Sequence, residues 1–167
     1  MDDRKEIDAL LDRIRHRAHR SARAQYIASK RAGLMHNILG IPVVILSVVV
    51  GTTLFSSLGS DPRKGVVICA GIVSLLASVL AALQTFLGYS ESKERHFAAA
   101  TSLSALKREL DLLALRFRVD QMEPPQALDL LAPFVDRFST LIRDSPDVPD
   151  RYYDRARAEE EEDSEGV

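Results

Sequence analysis

Cysteine is almost absent from this sequence, because Cys69 is the only one among its 167 residues. A single cysteine excludes a disulfide framework within one chain and a zinc site built on cysteines. Catalytic signatures are also missing, since the chain contains no GxSxG, HExxH, Walker A or GxGxxG pattern. His16 and His19 form an H-x-x-H pair without a further ligand near them in sequence. We therefore expect a protein that is not an enzyme and that uses no metal or cofactor.

Charge is missing from two long stretches, although 28% of the residues are charged. Residues 32–60 contain no Asp, Glu, Lys or Arg, and neither do residues 65–90. A helix needs about 20 apolar residues to cross the hydrocarbon core of a bilayer. The sequence thus predicts two transmembrane helices, over about residues 38–58 and 66–87. The charged first 30 residues do not resemble a removable signal peptide, so the first span should stay as an anchor.

A short connection joins the two predicted spans. Residues 59–65 combine Gly, Ser, Asp and Pro, a composition typical of a turn. Two helices joined in this way must be antiparallel neighbours, which predicts a transmembrane hairpin over residues 38–90. Gly40 and Pro42 predict a bend or a helix restart where the first span begins, because proline breaks the interior of a helix.

Basic residues are distributed unevenly around the two spans. Residues 13–36 hold seven Lys or Arg and no acid, and residues 93–108 hold four, whereas the connection holds two. Loops rich in Lys and Arg remain in the cytosol. We therefore predict a two-span protein of the inner membrane with both termini in the cytosol.

The charged segments outside the spans have helical periodicity. Apolar residues three and four apart predict an amphipathic cytosolic helix over residues 1–37. No Gly or Pro follows Gly88 until residue 124, which predicts a helical rod continuous with the second span. The apolar stripe of the first helix comprises Ile7, Leu11, Ile14, Ala18 and Ala22.

Two apolar seams predict a cytosolic helical hairpin over residues 91–145, in an all-α, coiled-coil-like bundle. The candidate assembly seam comprises Leu103, Leu106, Leu110, Leu113 and Phe117. The second seam comprises Ala127, Leu131, Phe134, Phe138 and Leu141. Pro133 should kink or split the second helix. Each seam suits either contacts between copies or a core within one chain, and we favour the core.

The C-terminal residues 146–167 are acidic. Pro146 and Pro149 precede the run of acids from Glu159 to Asp163. Such a composition predicts a disordered, solubilising tail, with a binding segment for a basic partner as the alternative.

Small and polar residues mark the faces of the spans. They comprise Ser47, Gly51, Ala70, Ser74, Ser78, Ala82, Gln84 and Thr85, with Ala77 and Ala81 adjoining. Small residues allow close helix packing in lipid. Ser74, Ser78, Gln84 and Thr85 are also candidates to line a pore, and Gln84 favours that role because an amide deep in a span needs a partner or water.

Two histidines lie just outside the spans. We expect His36 and His96 to face water or lipid headgroups, and a response to pH is the alternative because histidine titrates near neutrality.

The pattern resembles the SLATT domains, two-transmembrane effector domains associated with nucleotide-synthesising and nucleotide-sensing systems of bacterial conflict. The likeness extends over about residues 5–145. The residues that carry it are Tyr26, the segment Leu39-Gly40-Ile41-Pro42-Val43-Val44-Ile45-Leu46-Ser47, Gly51-Thr52-Thr53 with Phe55, Glu94-Arg95-His96 with Ala99, and Leu106-Lys107-Arg108-Glu109-Leu110.

This resemblance implies a pore-forming membrane effector that breaches the inner membrane after a partner detects infection or a nucleotide signal. Two helices cannot enclose a channel alone, so a pore in the lipid bilayer requires a homo-oligomer. The chain is then either a form with a separately encoded sensor or nucleotide-synthesising partner or a self-triggered form, and we expect no nucleic-acid ligand. The alternative is a membrane-anchored adaptor or sensor whose cytosolic helices dock a partner.

Overall fold

The computed structural model describes residues 2–57, 64–120 and 123–165, and the regular structure within these ranges is entirely helical. This confirms the all-α class. Most of the predicted connection, residues 59–63, and Met122 at the predicted break lie outside the described residues. The helices are α1 (Asp2–Ser57), α2 (Lys64–Leu87), α3 (Tyr89–Val119), α4 (Pro124–Asp144) and α5 (Asp150–Glu165).

The chain divides into two compact units. The first, which we call the packed unit, comprises Met1–Ser29 and Glu94–Val167. The second, which we call the apolar unit, comprises Lys30–Lys93. The helix α1 contributes to both units, and each unit is described by itself below.

The packed unit is built on one hydrophobic cluster. Residues of α1, α3 and α4 share it, including Leu11, Leu110 and Leu131, each at most 2% exposed. Phe134, Phe138 and Leu141 pack against its edge. The helices pair because each has apolar residues three or four apart, which places them on one face.

The candidate assembly seam on α3 is buried within a single chain. Leu103, Leu106 and Leu110 are fully buried, and Leu113 and Phe117 are 6% and 2% exposed. These side chains are therefore part of the core of the packed unit and are not available to a second copy in this conformation.

Ion pairs join the helices at the rim of this core. Arg15 Nε lies 2.7 Å from a carboxylate oxygen of Asp111, which links α1 to α3. Arg137 Nη1 lies 2.7 Å from Glu109, which links α4 to α3. Ion pairs that are at least partly open to water contribute roughly 1 kcal/mol or less each, so the buried apolar side chains dominate the stability.

The two internal prolines do not interrupt their helices, so the predicted restart at Pro42 and the predicted split at Pro133 are wrong. The helix α1 continues through Gly40 and Pro42, and α4 continues through Pro133. A proline removes one backbone hydrogen bond while the turns on either side keep theirs. Around Pro133, the packing of Leu131 and Phe134 on the core holds both halves in place.

The predicted continuous rod is interrupted at Gly88. The helix α2 ends at Leu87, and Gly88 has a φ of +56° before α3 begins at Tyr89. This left-handed conformation is a common way to end a helix, and glycine adopts it without steric cost. The Ser92 N–H then donates to the Gly88 carbonyl at 3.0 Å, which starts the next helix.

The acidic tail predicted to be disordered is largely the helix α5. Ala156 is fully buried, and Glu159 and Glu160 accept hydrogen bonds from Arg23 and Arg20 of α1. Composition predicts disorder when like charges repel in water. Here Glu159 and Glu160 lie opposite Arg23 and Arg20 of α1, which offsets part of that repulsion and allows α5 to pack.

Candidate functional site

The helices α1 and α2 of the apolar unit are long and apolar enough to span a membrane. The most apolar 18 residues of α1 have a mean hydropathy of 2.1, and none of them is buried. The most apolar 18 residues of α2 have a mean hydropathy of 2.7, and 6% of them are buried. A core helix of a water-soluble protein would be mostly buried. Large side chains such as Leu75 and Phe86 are 67% and 87% exposed. Exposed apolar surface costs about 25 cal/mol per Å² in water, so these helices indicate association with a membrane.

The helix α2 has an inner face within the apolar unit. Ala77 is 8% exposed, and Ala70, Ala81 and Gln84 are half-buried. These residues are three, four or seven positions apart and so share one face of the helix. Because α1 is the other long helix of this unit, we assign the inner face to packing against α1.

An outer face of α2 carries the other small residues. Ser74, Ser78, Ala82 and Thr85 are all exposed. They lie three or four positions apart on a surface that the single chain leaves uncovered. The small residues predicted from the sequence thus divide into two groups, one used within the chain and one not.

The hydroxyl groups of the spans bond to their own helices. Ser78 Oγ donates to the Ser74 carbonyl at 2.9 Å, and Thr85 Oγ1 donates to the Ala81 carbonyl at 3.1 Å. Ser47, exposed on α1, donates to the Val43 carbonyl at 2.8 Å. Such back-bonding satisfies a hydroxyl without water. The outer face is therefore compatible with lipid, with a second helix or with a water-filled lumen.

Gln84 lies on the inner face, not with the candidate pore-lining residues. Its Nε2 lies 3.5 Å from His36 Nδ1, at the outer limit of a hydrogen bond. A Cβ added to Gly40 would lie 3.0 Å from the same Nε2, so the glycine leaves room for the amide. The amide thus has one polar contact within the chain, which weakens the sequence argument that it requires water.

The remaining candidate, Gly51, does not mark a close helix approach within the described part of the chain. It is half-buried, and a Cβ added there would meet no atom within 4 Å. A Cβ added to Gly33, which is not among the candidates from the sequence, would lie 3.2 Å from Lys93 Cδ.

A buried polar group of the packed unit contains His96, which the sequence analysis placed at an interface with water or lipid. His96 Nδ1 donates to Gln25 Oε1 at 2.6 Å, and Gln25 Nε2 donates to the Pro146 carbonyl at 2.9 Å. Burial lowers the pKa of His96. The three groups tie α1, α3 and the segment before α5 together. Gln25 lies among the buried residues Ser21, Ala22, Ala24, Ala28 and Ser29, and a long amide side chain within this stripe of small residues is a signal that could have revealed the buried group.

Among the described residues, no group of three His, Cys, Asp or Glu side chains could hold a metal ion. Cys69 is exposed on α2 as a free thiol.

No family model, curated protein or solved structure matches the chain. The functional argument therefore rests on the two faces of α2 and on the packed unit.

Proposed function

We propose that this protein is a pore-forming membrane effector that assembles in the bilayer through the outer face of α2. The observation that carries the proposal is the exposure of Ser74, Ser78, Ala82 and Thr85 on an otherwise apolar helix. Small residues allow helix backbones to approach closely in lipid, where packing replaces hydrophobicity as the driving force. A face of this kind that the chain does not itself cover is suited to another copy.

A pore requires such an assembly because two helices cannot enclose a channel. In the proposed oligomer, α1 and α2 of each copy form a transmembrane hairpin. The close approach of Gly33 to Lys93 of α3 and of Gly40 to Gln84 of α2 supports antiparallel helices, since the residue number on the later helix falls as that on α1 rises. The serine and threonine hydroxyls of the outer face then line the lumen or the contact between copies.

The proposed topology places both termini in the cytosol and the connection outside, as the distribution of Lys and Arg favours. Single cysteines in a Cys69→Ser background test it in intact cells. Gly65→Cys should react with a membrane-impermeant maleimide, whereas Lys93→Cys should react only after the membrane is opened. Labelling of Lys93→Cys in intact cells would refute this topology.

Cysteine cross-linking tests the proposed assembly. In the Cys69→Ser background, Ser78→Cys should form disulfide-linked dimers in membranes under mild oxidation, because the outer faces of two copies meet. Ala77→Cys is the matched control, since it differs by one position and lies on the inner face. Equal cross-linking at both positions, or none at Ser78→Cys, would exclude assembly through this face.

The setting we propose is a bacterial defence system at the inner membrane, in which a separately encoded sensor or nucleotide-synthesising partner triggers assembly. The support for this setting is the resemblance to the SLATT domains.

A membrane-anchored adaptor is the second candidate function. The observation that favours it is an apolar strip on α3 of the packed unit, where Leu112, Leu115 and Val119 are 62%, 57% and 68% exposed. These residues are spaced three and four apart, as in a helix that docks a partner. Replacing the spans with an unrelated two-span anchor distinguishes the candidates, because an adaptor would keep its activity and a pore would lose it.

A further inference from the structure

A basic cleft lies between α1 and α5 of the packed unit. Its volume is about 460 Å³, within the range typical of ligand-binding clefts. The residues that line it are Arg13, His16, Arg17, Arg20, Arg157, Glu160 and Glu161. Four arginines thus face two glutamates, and His16 adds a further positive charge when it is protonated.

The carboxylate of Glu160 lies among the basic side chains of the cleft. Glu160 accepts hydrogen bonds from His16 Nδ1 at 2.8 Å and from Arg20 Nε at 3.0 Å, and its side chain is 22% exposed. Burial acts to raise the pKa of Glu160, but the bonds and charges of His16 and Arg20 outweigh it and lower the pKa. Glu160 is therefore an anion held by two basic groups.

The other arginines of the cleft are not neutralised in this way. Arg13 and Arg17 are exposed and form no salt bridge with any residue that the structure describes. Among the side chains that the structure describes, Arg157 has a long contact with Glu161, at 3.9 Å between largely exposed side chains. Four arginines and His16 thus surround two carboxylates, of which Glu160 is held by His16 and Arg20.

We propose that this cleft is a binding site for a phosphate-bearing anion, which replaces the Glu160 carboxylate at Arg20 and His16. A guanidinium group matches the geometry of phosphate oxygens and can donate two parallel hydrogen bonds to them. A phosphate also carries more charge and more acceptor oxygens than a carboxylate, so it can engage Arg13 and Arg17 as well. The site is separate from the outer face of α2, and the proposal does not depend on pore formation.

Such a phosphate group has two possible sources, a free phosphate compound or the headgroup of an anionic phospholipid. Calorimetric titration of the full chain in a zwitterionic detergent separates them. Inorganic pyrophosphate is the first probe, and soluble dioctanoyl phosphatidylglycerol is the second, with dioctanoyl phosphatidylcholine as its zwitterionic control. The salt concentration should be about 0.05 M, so that surface charges are weakly screened.

Three variants test whether binding occurs in the cleft. Arg17→Gln should weaken binding by about fivefold, the upper range for an exposed charge pair. Arg116→Gln is the matched control, because it removes an exposed arginine of α3 outside the cleft. Glu160→Gln should strengthen binding at least about threefold, because it removes the competing negative charge while keeping the size of the side chain.

Either probe can support the proposal and identify the source. Binding of pyrophosphate that depends on Arg17 indicates a free phosphate ligand, and binding of phosphatidylglycerol alone with the same dependence indicates a lipid headgroup. Failure of both probes to bind overturns the proposal, and so does an equal effect of Arg17→Gln and Arg116→Gln. Unchanged or weaker binding by Glu160→Gln would show that the anion does not replace this carboxylate.

Discussion

Replacing Leu110 with alanine tests whether the α3 seam is the core of one chain. Leu110 is fully buried in the hydrophobic cluster of the packed unit. A buried Leu→Ala change costs about 2–5 kcal/mol, because it removes apolar contacts and leaves a cavity. For a domain of roughly 100 residues, each kcal/mol lowers the melting temperature by about 4–8 °C. We therefore expect a loss of at least about 8 °C.

Circular dichroism of the full chain in detergent measures this change, and Leu112→Ala is the matched control. Leu112 lies two positions away on the same helix and is 62% exposed, so its loss should change the stability by less than about 0.5 kcal/mol. Alanine favours the helix in both variants. A Leu110→Ala protein that melts like the parent but dissociates from its oligomer would refute the reasoning, because the seam would then lie between copies.

Three further predictions concern the packed and apolar units. Burial lowers the pKa of His96 below its unfolded value, so thermal stability should fall as the pH drops below about 6.5, and His96→Gln should reduce that fall. Gly51→Ala should raise the melting temperature through helix propensity, whereas Gly40→Ala should gain less because its Cβ meets an amide nitrogen at 3.0 Å. Ala156→Glu should release α5 and speed trypsin cleavage there, whereas the exposed Ala158→Glu should not. Equal behaviour within either variant pair, or an unchanged pH profile for His96→Gln, would contradict the corresponding assignment.

The features that the sequence predicts correctly are those that depend on local pattern. Two stretches without charge are enough to predict two helices that can span a membrane, because few other structures tolerate such runs. The spacing of Leu103, Leu106 and Leu110 predicts a buried helical face, because apolar residues three and four positions apart lie on one side of a helix. Each of these two patterns lies within one short stretch of the chain, so no distant residue is needed to recognise it.

The features that the sequence does not predict depend on distant partners. The residues of α5 form a helix because Glu159 and Glu160 lie opposite Arg23 and Arg20, more than 100 positions earlier in the chain. Gln84 faces α1 because Gly40 leaves space for it, which its own span does not indicate. Similarly, tertiary packing allows α4 to continue through a proline that would end an isolated helix.

Release of potassium and of a trapped dye from liposomes that contain the full chain tests the central claim most directly. The oligomeric state is measured in parallel at increasing protein-to-lipid ratios, for the parent, Ser78→Leu and the control Val79→Leu, a neighbouring exposed position on α2. The proposed pore predicts release that rises with an oligomer in the parent and in Val79→Leu, and the loss of both in Ser78→Leu. Sealed vesicles with a stable monomer, or undiminished release by Ser78→Leu, would contradict assembly of a pore through the outer face of α2.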